Sequence, residues 1–119
     1  MSQDSPISST RGFRVDVYQK EDVTVVECHG KLTVENAPLL KSEAKSVIGP
    51  KKRLVLDLKQ VPFMDSSGLG TIVGLYVSAR TSRCEFTLVN ANPQIRELLG
   101  ISNLLLLFES AGRHGGKYM

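Results

Sequence analysis

Asp65-Ser66-Ser67-Gly68 is the stretch of this sequence best equipped for chemistry. A carboxylate and two hydroxyls stand side by side, with glycines at positions 68, 70 and 74. The apolar, β-branched run Arg53-Leu54-Val55-Leu56-Asp57-Leu58 leads in through Val61-Pro62-Phe63-Met64, and an amphipathic pattern leads out. Strand periodicity therefore gives way to helix periodicity across Asp65-Ser66-Ser67. Asp and Ser cap helix starts because a short side-chain oxygen accepts from the unpaired N–H groups of the first turn. The hydroxyls then sit among amide donors at the positive end of a helix dipole, which suits them to receive or hold a phosphate.

A second reading of these residues is a helix cap and nothing more. The glycines bear on the choice, since each one inside a helix costs about 1 kcal/mol relative to alanine. Three of them in the first turns imply a close approach to the backbone. Tight packing of helix on sheet accounts for Gly70 and Gly74, which share a face; Gly68 is harder to place that way. A hydrolase nucleophile elbow needs Gly-x-Ser-x-Gly, but Met64 holds the first glycine position before Ser66, and His114 is the only downstream histidine to act as base. Gly68-x-Gly70-x-x-x-Gly74 is neither a dinucleotide fingerprint nor a phosphate loop. No catalytic residue and no cofactor are expected.

A chain of 119 residues makes one domain with a real core. Its 41% hydrophobic and 23% charged residues are those of a globular protein. No apolar run approaches the roughly 18 residues that span a bilayer, and Met1-Ser2-Gln3-Asp4-Ser5-Pro6 has no secretory pattern. A cytoplasmic protein without membrane insertion is the expectation. The net charge of +3 is scattered, and aromatics make up only 6% of the chain, so direct nucleic-acid binding is not expected. Cys28 and Cys84 fall in strands without metal-type spacing and read as buried thiols. His29 follows Cys28, but neighbours on a strand face opposite ways. With no third ligand at a useful spacing, no metal site is expected.

These pieces need a scaffold. Residues 1–11 are polar and read as a disordered leader. Phe13, Val15 and Val17 alternate with Arg14 and Asp16 as a half-buried strand. After the polar turn Lys20-Glu21-Asp22, residues 23–28 return as a second strand, giving an antiparallel hairpin. Beyond Gly30, Ala37, Leu40, Ala44, Val47 and Ile48 form a helical stripe, with Thr33 or Asn36 as cap and Pro38 in the first turn. Gly49-Pro50 stops it. The second helix, from the serines to residues 80–82, buries Leu69, Ile72, Val73, Tyr76 and Ala79. Residues 84–89 make a strand, Asn90-Ala91-Asn92-Pro93 a turn, and 94–99 a helix. Ile101 and Leu104–Phe108 read as a small buried strand, and residues 112–119 as a flexible glycine-rich tail. The sum is an α/β fold, a mixed β-sheet with amphipathic helices packed on it and right-handed crossovers.

Phe63-Met64-Asp65-Ser66-Ser67-Gly68-Leu69-Gly70 resembles the signature of STAS domains, specifically of anti-sigma-factor antagonists. The likeness extends to Val25-Val26 leading into Gly30-Lys31-Leu32, to Leu54–Leu58, and to Leu98-Leu99-Gly100-Ile101 before a Leu/Phe-rich run. It implies a single STAS domain over residues 12–111 and a partner-switching protein. In such families the serine matching Ser67 is phosphorylated by an anti-sigma factor that is also a serine kinase. The unphosphorylated form binds that kinase and frees its sigma factor, and a PP2C-type phosphatase resets the switch. Carried onto this sequence, Ser67 is the phosphorylation site, and Asp65, Ser66, Gly68, Leu69 and Thr33 contribute to partner binding. Thr33 is a departure, because the family often carries an acid after Gly-x-Leu. The glycine-rich tail is another, in place of a final helix. Small STAS proteins also serve as accessory subunits of lipid-transport ATPases, a role that needs no serine phosphorylation.

Overall fold

The computed structural model describes residues 8–10 and 12–101. In chain order the elements are β1 (Ser8–Thr10), β2 (Phe13–Lys20), β3 (Val23–His29), α1 (Ala37–Lys45), β4 (Arg53–Gln60), α2 (Ser66–Thr81), β5 (Glu85–Val89) and α3 (Pro93–Ile101). The five strands lie in the sheet in chain order. β1–β2 and β2–β3 pair antiparallel, while β3–β4 and β4–β5 pair parallel. A parallel pair needs a long crossover. α1 and α2 supply the two crossovers and pack against each other. This is the single mixed α/β sheet expected from the pattern.

Alternation along the strands decides which residues meet the helices. Val15, Val26, Cys28, Leu54, Leu56, Leu58, Phe86 and Leu88 share one core with Leu40, Ile72, Leu75, Ile95 and Leu99. The other face of the sheet carries Tyr18, Val25 and Val55 in one row and Asp16, Glu27 and Asp57 in the next. Both cysteines are free and buried. Burial, with smaller contributions from Asp57, Glu27 and Asp16, pushes the Cys28 thiol up to about 12.

The structure amends several boundaries. Ser8–Thr10 lies within the stretch expected to be a disordered leader, yet it pairs with Phe13–Val15. Val17 shares a face with Phe13 and Val15 but is exposed, as are all of the last four residues of β2. α1 ends at Lys45, short of Gly49-Pro50. Ser46 is responsible: its hydroxyl donates to the Glu43 carbonyl at 2.7 Å, taking an acceptor at the last turn. The buried stripe of α2 is Gly68, Ile72, Leu75, Tyr76 and Ala79, with Leu69 and Val73 only half-buried. Ile72, Tyr76 and Ala79 are common to both stripes, while the helix turns Gly68 and Leu75 inward in place of Leu69 and Val73. The expected strand at 104–108 and the tail at 112–119 lie outside the described residues.

Candidate functional site

The β3–β4 ladder continues past the ends of both strands. The Gly30 amide donates to the Gln60 carbonyl at 3.0 Å and Leu32 to Phe63 at 3.0 Å, while Asp65 donates back to Leu32 at 3.2 Å. Leu32 and Met64 thus form a parallel bridge. The loop before α1 and the loop before α2 are thereby held side by side. The expected neighbours Thr33 and Asp65 come together, 32 positions apart in sequence.

Asp65 fastens this corner with both carboxylate oxygens. Oδ1 accepts from the Gly68 amide at 3.0 Å, an N-cap on α2, and Oδ2 accepts from the Val34 amide at 3.2 Å. The Leu69 amide donates to the Asp65 carbonyl at 3.0 Å. Capping is therefore assigned to Asp65 alone, and the serines are left over from that task. Ser66 is exposed and Ser67 half-buried, within the first turn whose amides lack helical acceptors. Thr33 contributes through its backbone: its carbonyl accepts from the Asn36 and Ala37 amides at 2.9 and 2.8 Å, opening α1. Asn36 stands at the cap position without making a cap bond. Its Nδ2 donates instead to the Lys31 carbonyl at 2.6 Å, bracing the same loop.

The glycines exchange the roles expected of them. Gly68 is buried, and a Cβ there meets the Leu32 carbonyl oxygen at 2.5 Å and Leu32 Cγ and Met64 Cγ at 2.9 Å. Internal packing of the first turn of α2 on Leu32 requires glycine at this position. At Gly70 and Gly74 an added Cβ meets nothing within 4 Å. Those two, with Ser67 and Thr71, form one wall of a groove of about 580 Å³ between α1 and α2. Pro38, Lys41 and Lys45 line the other wall, the lysines being its charged residues.

Two large apolar residues of this corner stand out by exposure: Val34, not singled out in the sequence, and Phe63, which lies in the signature stretch. Val34 is 64% exposed and Phe63 42% exposed, although both are large and apolar. Each is next to a backbone bond of the corner, through the Val34 amide and the Phe63 carbonyl. Both flank the corner that carries the exposed Ser66 and the half-buried Ser67. In sequence Phe63 belongs to the stretch that leads from the Arg53–Leu58 strand into Asp65, and nothing there distinguishes Val34, whose exposure alone marks it. Leu69 is half-buried against the core. A further asparagine, Asn92, donates to the Val61 and Pro62 carbonyls at 3.2 and 3.3 Å, supporting the corner from α3.

Comparison with known proteins follows the same lines. The family model for the STAS domain matches residues 14–114. The anti-sigma-B factor antagonist of Bacillus subtilis (strain 168) is 31% identical over 105 residues, covering 87% of this chain and 96% of that protein. The anti-sigma F factor antagonist of Paenibacillus polymyxa is 29% identical over 94 residues, covering 77% and 80%. Among solved structures, an anti-sigma factor antagonist from Mycobacterium paratuberculosis superposes with a TM-score of 0.72 at 26% identity, covering 81% of this chain and 82% of that one.

Proposed function

The chain belongs to the STAS domain family, and from that premise we propose that it is an anti-sigma-factor antagonist working as a phosphorylation-controlled partner switch. Unphosphorylated, it binds a kinase-type anti-sigma factor through the corner built on Asp65, Ser66, Ser67, Gly68, Leu69 and Thr33, with Val34 and Phe63 as apolar contacts. Phosphorylation of Ser67 by that kinase releases it, and a PP2C-type phosphatase restores the binding form. The protein itself catalyses nothing and acts on transcription, in the cytoplasm, through its partner.

The observation that carries this reading is the division of labour at the start of α2: Asp65 caps the helix and leaves the half-buried Ser67 hydroxyl at the mouth of the groove. A phosphate there brings roughly −1.5 to −2 charges and three strong acceptor oxygens. The fold tolerates it, because first-turn amides and the helix dipole face it and Lys41 and Lys45 line the same groove. A partner packed on the corner does not, because the group occupies volume and repels the partner's acids. One modification thus preserves the domain and removes the interface.

The test compares Ser67→Ala with Ser67→Asp in capture of the kinase-type anti-sigma factor from the same cell. Ser67→Ala binds constitutively and takes up no phosphate from ATP. Ser67→Asp binds at least tenfold more weakly and stays folded. Equal capture by the two, or a phosphate mapped by mass spectrometry to a residue other than Ser67, removes the proposal.

A further inference from the structure

The face of the sheet turned away from α1 and α2 carries a second cluster of chemically able side chains. Asp16 on β2 stands directly opposite Glu27 on β3 in the antiparallel register, and His29 follows Glu27 on the same face. His29 Nε2 lies 3.1 Å from Glu27 Oε1 and 3.2 Å from Asp16 Oδ2. The three candidate ligand atoms all fall within 4.8 Å of one another. Each side chain is about a quarter exposed, at 25–26%. From these positions we infer that Asp16, Glu27 and His29 form a binding site for a divalent transition-metal cation such as Zn²⁺, with solvent in the remaining position.

Three observations support the assignment. Carboxylates set directly across an antiparallel pair repel one another, so a backbone register that pairs Asp16 with Glu27 favours positive charge nearby, part of which Arg14 supplies at Asp16 Oδ1. The separations from Nε2, 3.1 and 3.2 Å, are those of direct contact; a tetrahedral ion with bonds of about 2.0–2.2 Å sets its ligands roughly 3.3–3.6 Å apart, so its entry needs the three side chains to part by only a few tenths of an ångström. A single N–H on Nε2 can point well at only one of the two oxygens, whereas an ion between the three atoms satisfies all of them at once. Finally, the trio has an outer layer that holds it in place. Arg14 Nε donates to Asp16 Oδ1 at 3.2 Å, which turns Oδ2 toward His29. Asp57, beside Glu27 on β4, has its Oδ1 committed to the Lys59 amide and to Asn90 Nδ2, at 2.9 and 3.1 Å. The ligand set is thus one imidazole and two carboxylates. Such a set suits Zn²⁺ and its first-row neighbours better than Ca²⁺ or Mg²⁺, which favour oxygen alone.

The experiment uses the tag-free full-length chain, titrated with Zn²⁺ by calorimetry and with Co²⁺ by visible absorption. The expected result is one equivalent bound, with Co²⁺ ligand-field bands and without an intense thiolate charge-transfer band. His29→Ala and Glu27→Gln each weaken binding at least tenfold, while His114→Ala leaves it unchanged. His29→Gln, which keeps a polar side chain of similar reach, serves as the second variant if His29→Ala folds poorly. The inference is overturned by the absence of stoichiometric binding, by affinity that follows His114, or by a thiolate band that transfers the site to a cysteine. None of these outcomes depends on the anti-sigma-factor partner.

Discussion

At Gly68 the missing methyl group is required, and at Gly74 it is not. An added Cβ at Gly68 runs into the backbone oxygen of Leu32 and two core side-chain atoms, none of them the far end of a flexible chain. Gly68→Ala therefore loses roughly 1–3 kcal/mol, the usual range for overpacking a filled core. At Gly74 the new methyl enters open space at ordinary helical φ, and Gly74→Ala gains roughly 0.4–1 kcal/mol by restricting the unfolded chain. Urea unfolding of both variants measures this, and a Gly74→Ala protein less stable than the parent contradicts the packing described. Three glycines at helical spacing were readable in the sequence, but their ranking was not. Which of them touches Leu32 depends on where the loop before α1 lies, and for Gly68 that contact reaches back 36 positions in the chain. The capping chemistry of Asp65 was legible for the opposite reason, since its Gly68 bond spans only three residues.

The elements themselves followed from periodicity, because strand alternation and helical stripes are local properties of the chain. Their limits depended on particular competing bonds, such as the Ser46 hydroxyl at the end of α1. The phase of the α2 stripe depended on which side met the sheet. The start of α3 shows how one residue links an element to the site. Asn92 Oδ1 accepts from the Ile95 amide at 2.8 Å, a cap, while its Nδ2 donates to the Val61 and Pro62 carbonyls of the loop that delivers Asp65. Asn92→Ala removes both, and its cost of roughly 1–2 kcal/mol is that of a lost cap with two carbonyls left to water. Asn92→Asp keeps the cap acceptor but loses the donor, and falls between the parent and the alanine variant in thermal unfolding. Hydrogen exchange adds the decisive reading, because the Val61 and Asp65 amides, bonded to the Leu58 and Leu32 carbonyls, lose protection in both variants. Protection that falls only within α3 shows that Asn92 does not support the corner.

Across the whole molecule, the sheet separates the two proposed sites. α1, α2 and the serine corner occupy the side that holds the core, and Asp16, Glu27 and His29 project from the other. The second surface was hidden in sequence because its members come from two strands and meet only through the hairpin register. The first was visible because Asp65-Ser66-Ser67-Gly68 is continuous. Between the two lie tightly packed strands with Cys28 and Leu56 fully buried, and a close-packed interior resists a second arrangement. Coupling needs differential contacts in at least two states, and a sheet held in one packing offers none. The surfaces therefore act independently. Ser67→Asp leaves Zn²⁺ affinity within about twofold of the parent, and His29→Ala leaves capture of the anti-sigma factor within the same margin. In the double variant the two effects add, as expected for distant sites without shared partners. A Zn²⁺-dependent change in partner affinity requires, by reciprocity, an equal change in Zn²⁺ affinity when the partner binds. Calorimetry of each ligand in the presence of the other tests this directly, and a matched shift in both directions establishes that the sheet couples the two surfaces despite its packing.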